Sequence, residues 1–447
     1  MANRTLETTC CVVGGGPAGV MLGYLLARAG VAVIVLEKHK DFFRDFRGDT
    51  VHPSTLEVMY ELGVLDDFLK VPHQQLSQVG GFYGGYFFRA ADFRNVPTHC
   101  KFVALMPQWD FLDFLSGEAK QFPGFSLHME SEATDLIIDR GRVNGVVAQT
   151  PQGTVDVGAD LVVACDGRHS RMREAAGFEV QEFGVPIDVL WFRIPGASGD
   201  DPEALLGNLN YGKALVLIPR GDYIQAGLII RKGSFDRLRE QGIEQFRDLI
   251  RRIAPYLEDR VQELRDWEQV KLLSVQINRL RRWHRPGLLC IGDAAHAMSP
   301  AGGVGINLAI QDAVATANIL GEPLRQGRVT EALLARVQER REFPTRVTQL
   351  LQVGAHKGFE RVFRNEGPAV APWQLRLVTS IPGVQRVTAR IIGVGVLPEH
   401  VATAKKQVAC DGERLKKIAV AAGLGLAAVA IGMKLLRRAK KPSYGWA

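Results

Sequence analysis

The stretch Cys10–Lys38, CCVVGGGPAGVMLGYLLARAGVAVIVLEK, decides the fold. Cys10 to Val13 is a short apolar, β-branched run, the mark of a strand buried on both faces. Gly14, Gly16 and Gly19 follow at GxGxxG spacing, Val20 to Ala29 has the apolar spacing of a helix, and Gly30 stops it. VAVIVLE then reads as a second buried strand ending at Glu37, which completes a βαβ unit. In such a unit Gly14 permits the tight turn, Gly16 lets the backbone approach a pyrophosphate at the helix N-terminus, and Gly19 allows close helix–strand packing. Glu37 stands where a carboxylate accepts hydrogen bonds from an adenosine ribose. The fingerprint predicts a dinucleotide site but does not separate FAD from NAD(P).

The chain has 447 residues, of which 46% are hydrophobic, enough to bury a large core and to divide into two or three lobes. Disordered and fibrous classes are excluded. The six cysteines (10, 11, 100, 165, 290 and 410) form no CxxC pair, and several lie in apolar runs, so reduced structural thiols of a cytoplasmic protein are expected and no metal site. The polar opening MANRTLETT leads straight towards the first strand and does not read as a secretory signal.

The net charge of +7 is unevenly placed: after residue 404 ten Lys/Arg face only Asp411 and Glu413, leaving the rest of the chain near −1. A nucleic-acid binder carries its basic surface on the folded domain, so nucleic acid is not expected as a partner. Here the basic residues flank Ile418–Met433, a run with no charged residue and no polar face, which Lys434 extends to Leu436 by snorkelling. About 19 helical residues span roughly 28 Å, just short of a bilayer's hydrocarbon core. Residues 418–436 are therefore expected to associate a cytoplasmic enzyme with membrane lipid, with Tyr444 and Trp446 suited to the interface. The alternative is a Gly/Ala-rich helix packed on the body or on a partner.

Two further strand-to-loop sites stand out. In ADLVVACDGRHSRMREAAG a strand over Leu161–Ala164 runs into Asp166-Gly167, then Ser170, Arg173 and a helix. In GLLCIGDAAHAMSPAGGVGINLAIQDAVATANIL a strand over Leu288–Ile291 runs into Gly292-Asp293, a Pro/Gly loop and, from about Gly305, a helix rich in small residues. Between 185 and 280, VLWFRIP, KALVLIP, YIQAGLII and VKLLSVQI alternate as strands of an antiparallel sheet.

With these three motifs in this order the chain resembles the single-component FAD-dependent aromatic hydroxylases, the class of p-hydroxybenzoate hydroxylase and the ubiquinone-pathway ring hydroxylases, over residues 8 to 345. The resemblance implies an α/β fold: a Rossmann-like FAD-binding domain (1–180 and 281–345, with sheet insertions near 75–105), interleaved with a mostly antiparallel β-sheet substrate domain (181–280). A helical C-terminal region (346–410) and the basic-flanked tail (411–447) follow. It implies that Gly14, Gly16, Ala18, Gly19, Glu37, Lys38, Arg47, Gln108, Asp166, Gly292, Asp293, Gly303, Gly305, Ile306 and Asn307 bind the cofactor. Within that set Glu37 meets the ribose, Asp293 the ribityl chain, Arg47 the pyrophosphate region, and the Gly305–Asn307 turn the flavin's pyrimidine end, where a helix N-terminus stabilises negative charge.

The implied reaction uses NAD(P)H as a transient co-substrate and dioxygen, and hydroxylates an electron-rich, phenol- or quinone-like ring through a flavin hydroperoxide, with the Ser299–Gly303 loop, including Pro300, walling the reacting edge. A reductase, desaturase or halogenase on the same scaffold stays open, as does a non-catalytic membrane-tethered redox module. LWFRIP departs from the W-x-W-x-I-P signature of flavin halogenases at both tryptophans (Leu190 and Phe192), which counts against halogenation. His52, Tyr211, Arg220 and Tyr223 are the candidates to activate or hold the substrate. His296, beside the presumed flavin, fits a structural bond to backbone as well as a catalytic role.

Overall fold

Only hydrogen fits where the first strand turns into the first helix. Gly14 leaves the strand at φ +105°, and a Cβ there would lie 2.5 Å from the Cys165 carbonyl oxygen; a Cβ on Gly19 would lie 1.9 Å from the Gly14 carbonyl oxygen. The glycines thus lock the helix Pro17–Arg28 onto the strand Arg4–Val13. The computed structural model describes residues 4–43, 50–196, 207–220, 222–257, 259–364 and 367–402.

Arg4–Val13 pairs in parallel with Val33–Leu36 on one side and with Gly153–Ala164 on the other. Phe125–His128 and Leu288–Cys290 extend the parallel sheet outward, and the hairpin Glu132–Asp139/Arg142–Thr150 zips onto the long strand Gly153–Ala164. The first strand begins six residues before the apolar run that announced it. Its polar half, Arg4–Thr8, keeps register with Val155–Ala159, so ladder pairing sustains a strand that hydrophobicity alone does not mark.

The second sheet runs Lys271–Ser274, Ile187–Pro195, Tyr223–Arg231, Lys213–Pro219, Asn208–Asn210, Gln78–Tyr83, Tyr86–Asp92, and only the Asn208–Asn210/Gln78–Tyr83 pair is parallel. VKLLSVQI, expected as one strand, is two. Lys271–Ser274 pairs with Asp188–Trp191, whereas Ile277–Leu280 pairs with Val180–Phe183. The break sits at buried Asp188, whose carboxylate accepts from Val275 N (3.1 Å), Gly233 N (2.9 Å) and Lys232 Nζ (2.9 Å) and so draws the chain out of the ladder.

On Ile187–Pro195 side chains alternate by the strand period of two. Leu190, Phe192 and Ile194 pack with Phe246 and Ile250 of the helix Ile243–Ile253, while Val189 and Trp191 face the opposite side. Two helices cover the junction with the parallel sheet: the central helix Gly305–Arg325 and the long helix Glu331–Phe363.

A buried ionic knot ties these helices together. Asp312, fully buried in the central helix, accepts from His296 Nε2 at 2.6 Å, Arg341 Nε at 2.9 Å and the Gly292 backbone N at 3.0 Å. Arg341, 1% exposed on the long helix, also donates to the Leu397 carbonyl and to Glu399, which Arg340 pairs from outside. Burial pushes the Asp312 carboxyl up, but His296 and Arg341 outweigh it and hold it below the usual carboxylate range. Removing one partner of such a knot strands a buried charge. Asp312→Ala is therefore expected to destabilise the fold by about 3–5 kcal/mol, measured by chemical denaturation, and a cost near that of a surface substitution would refute the knot's role.

Candidate active site

Three helix or strand ends converge on one cavity of about 1130 Å³. At one end Gly14, Gly16, Pro17, Ala18, Glu37 and Lys38 line it. Gly16 caps the first helix without any side-chain bond, and the space where its Cβ would stand is open. That is a cradle for an anion at a helix N-terminus. Glu37, 9% exposed, is oriented by its backbone neighbours: Oε2 accepts from Gly15 N at 2.9 Å and Oε1 from His39 N at 3.1 Å.

The second and third motifs interlock in the middle of the cavity. Asp166 Oδ2 accepts from Met172 N (3.1 Å), Ser170 Oγ caps Arg173 N (3.0 Å), and Arg173 donates to the carbonyls of Arg168 (2.8 Å) and Ala294 (3.2 Å). Arg173 therefore staples one motif to the other. Arg168 reaches Asp293 Oδ2 at 3.4 Å, leaving that carboxylate on the cavity wall. Burial raises the Asp166 pKa, with Ser170 and nearby backbone N–H groups opposing it, and its Oδ1 has no protein partner. An orphaned buried oxygen, an open helix N-terminus and a wall carboxylate are the donor and acceptor set that a dinucleotide's phosphates and hydroxyls satisfy, so the residues fit FAD.

Beyond Asp293 the Pro/Gly loop and the start of the central helix form the next wall. Gly303, at φ +63°, brings its would-be Cβ within 2.2 Å of Thr50 Oγ1, which donates to the Gly303 carbonyl at 3.0 Å. Pro300, Gly303, Gly305 and Ile306 line the cavity. Asn307 and Gly292 stand behind the wall. Asn307 Oδ1 accepts from His52 N (2.9 Å) and Thr55 Oγ1 (2.7 Å), while Gly292, at φ +59°, serves the turn. The loop's own backbone is held by a buried polar stripe on the long helix. Gln349 donates to the Asn278 and Ala297 carbonyls, Gln352 takes Ser299 N and donates to the Ser299 and Ala301 carbonyls, and His356 shares a 2.9 Å bond with Ser299 Oγ.

The far end is apolar. Leu76, Val79, Ala91, Phe93, Val103 and Leu105 meet Trp191, Val216, Ile218 and Ile392 there. His52 is a buried titratable group in this part of the wall. It is 2% exposed, its Nδ1–H donates to the Ile392 carbonyl at 2.9 Å, and Nε2 is left as the acceptor of the neutral ring. Burial lowers its pKa to about 4, against a weaker opposing effect of the Ile392 bond.

The other sequence candidates fall as follows. Gln108 and Asp166 line the cavity. Gly19 packs on the strand behind it. Tyr211 and Arg220 do not line it: Tyr211 packs on the opposite side of the second sheet, under Arg252. Tyr223 packs against Arg193. His296 belongs to the Asp312 knot: its ring bonds a buried carboxylate rather than the backbone its structural alternative expected. Arg47 lies outside the described residues. Sequence reading missed Trp191, Val216, Ile218 and the polar stripe. The first three were marked by period-two alternation on their strands; the stripe (Arg341, Thr345, Gln349, Gln352, His356) repeats at helical spacing and reads as a solvated face until burial shows otherwise.

The chain matches the FAD binding domain family over residues 7–350. It is 32% identical to 6-methylpretetramide 4-monooxygenase of Streptomyces rimosus over 86% of this chain and 92% of that protein. Protoasukamycin 4-monooxygenase of Streptomyces nodosus is 27% identical over 72% of this chain and 81% of its own length. Among solved structures, anhydrotetracycline hydroxylase of Streptomyces rimosus superposes with TM-score 0.70 at 21% identity (90% of this chain, 78% of that one), and p-nitrophenol 4-monooxygenase of Pseudomonas putida with TM-score 0.70 at 19% identity (87% and 97%).

Two outcomes test this geometry. Asp293→Ala removes hydrogen bonds to a charged group worth about 1.5–3 kcal/mol, so FAD affinity measured by fluorescence titration should fall about 10- to 150-fold; unchanged affinity would remove Asp293 from the site. His52 is neutral in the fold well below the pH at which it takes a proton when unfolded. Its contribution to stability is therefore complete above about pH 6.5 and is lost as pH falls towards 4, about 3 kcal/mol across that window. Thermal melts of His52→Gln should lose that part of the pH dependence.

Proposed function

Because the chain belongs to the FAD binding domain family, we propose that it is an NAD(P)H-dependent flavoprotein monooxygenase that hydroxylates a phenol-like ring of a lipophilic, multi-ring substrate. The observation that carries this is the single cavity running from the Gly16–Glu37 cradle, past Asp293 and the Pro300–Gly303 loop, into the apolar chamber of the second sheet. The Streptomyces rimosus relative, a 4-monooxygenase of 6-methylpretetramide, supports the reaction type.

FAD, when bound, supplies the redox chemistry by which a hydride from NAD(P)H and dioxygen yield one oxygen atom for the ring. The chain's residues do the rest. Glu37 and the first helix N-terminus hold the adenosine and pyrophosphate, Asp293 holds the ribityl chain, and the open N-terminus of the central helix favours negative charge at the ring's pyrimidine end. The chamber walls strip water from the reacting edge.

His52 accepts a hydrogen bond from the substrate hydroxyl. With its pKa near 4 and a phenol's near 10, it orients that hydroxyl rather than storing its proton. His52→Ala should lower the fraction of NAD(P)H consumption that appears as hydroxylated product about tenfold, the worth of one such bond, with peroxide rising in compensation; an unchanged ratio would remove His52 from this role.

The decisive assay is NAD(P)H consumption by the purified, FAD-loaded chain against phenols and fused-ring phenols, with product mass recorded. Gain of one oxygen atom supports hydroxylation. Gain of two hydrogens would favour the reductase alternative, which a 27% identical archaeal relative, digeranylgeranylglycerophospholipid reductase 2 of Methanothermobacter thermautotrophicus, keeps in view.

The tail extends the proposal to location. Residues 418–436 lie outside the described residues, and among the described residues no helix is long and apolar enough to cross a membrane. On the sequence alone, the full chain should sediment with membranes, resist high salt and be released by detergent, and Leu424→Lys with Val429→Lys should weaken attachment. Release by salt alone would point to electrostatic adsorption.

A further inference from the structure

After the long helix the chain makes a helical arch, Trp373–Ser380 and Val384–Ala389, ending in the turn Arg390–Val394. Its inner side closes the substrate chamber. Ala389 and Val394 are buried with Phe93 and Ile218, a Cβ on Gly393 would lie 2.7 Å from the Phe93 ring, and the Ile392 carbonyl holds His52.

The outer side is also apolar. Trp373 is 64% exposed, Leu377 54% and Val387 60%, with Ile381 and Ile391 beside them in the sequence of the arch. A segment that is hydrophobic on both sides has a second apolar neighbour. Charge identifies that neighbour. From Gly367 to Pro398 there are three arginines, Arg376, Arg386 and Arg390, all exposed, and no acidic residue. A second copy of the chain across a two-fold axis would set this arginine face against itself. An anionic bilayer matches it: the tryptophan and aliphatic side chains enter the headgroup boundary while the arginines meet phosphates.

We propose that the outer side of the arch, Trp373–Ile391, docks on an anionic lipid surface, independently of the tail, so that one thin wall separates the bilayer from the chamber. The proposal rests on the chamber's place in the reading above only for its purpose; the docking itself is tested without turnover.

The test is hydrogen exchange of the full, FAD-loaded chain with and without vesicles of phosphatidylcholine and phosphatidylserine. Peptides within 370–391 should gain protection with these vesicles and little with phosphatidylcholine alone, while the hairpin 132–150 stays unchanged. In a second measurement the chain carrying Leu424→Lys and Val429→Lys, with its tail weakened, should still bind. Adding Arg376→Glu, Arg386→Glu and Arg390→Glu should then raise the lipid needed for half-binding on the order of a hundredfold, with FAD content unchanged. Vesicle-bound chain whose arch exchanges as in solution would overturn the proposal, as would absence of binding. So would protection that appears without lipid and grows with protein concentration, since a second copy would then be the partner.

Discussion

Asp312 is the point on which the site's geometry depends. A carboxylate with no exposed surface costs several kcal/mol unless its charge is matched and its lone pairs are filled. Here the matching groups come from three places in the chain: His296 and Gly292 from the loop after the parallel sheet, Arg341 from the long helix, and, through Arg341, Leu397 and Glu399 from the C-terminal segment. Gly292 sits at positive φ with its N–H committed to Asp312. The direction of the next residue, Asp293, is thereby set by the Asp312 side chain, twenty positions after Gly292.

The loop from Ala297 to Gly303 faces a related demand. Its first residues, Ala297 to Ser299, are buried, so their N–H and carbonyl groups need protein partners. Glutamine carries both a donor and an acceptor, and Gln349 and Gln352 of the long helix answer the loop's carbonyls and the Ser299 N–H one by one. A Pro/Gly loop fixed in this way is a rigid wall rather than a lid, which suits a reaction that must place a ring against a cofactor edge.

The parallel sheet and the three motifs were legible because each rests on local pattern: an apolar strand, then glycines that only close packing requires, as Gly14 and Gly19 show. The antiparallel sheet was legible from its runs, but not its break at Asp188, since that depends on a carboxylate bonding to residues 45 and 87 positions away. Tyr211 and Arg220 were drawn into the candidate site by residue type; neither lines the cavity, and Tyr211 packs on the opposite side of the second sheet. The polar stripe of the long helix was illegible for a related reason. Its residues look solvated in sequence, and only the tertiary pairing of Gln352 with Ser299 makes them interior.

His52 connects these constraints to the chamber. Its lowered pKa has burial as its main cause, and that burial is supplied in part by the arch, whose Ile392 carbonyl also fixes the ring's tautomer. The hydrogen bond by itself would raise the pKa, so the low value measures how far desolvation outweighs it. Closure of the chamber and neutrality of the histidine are therefore one physical fact. If the arch lifts, water and a proton reach His52 together, and the chamber loses its dry wall and its hydrogen-bond acceptor in the same step.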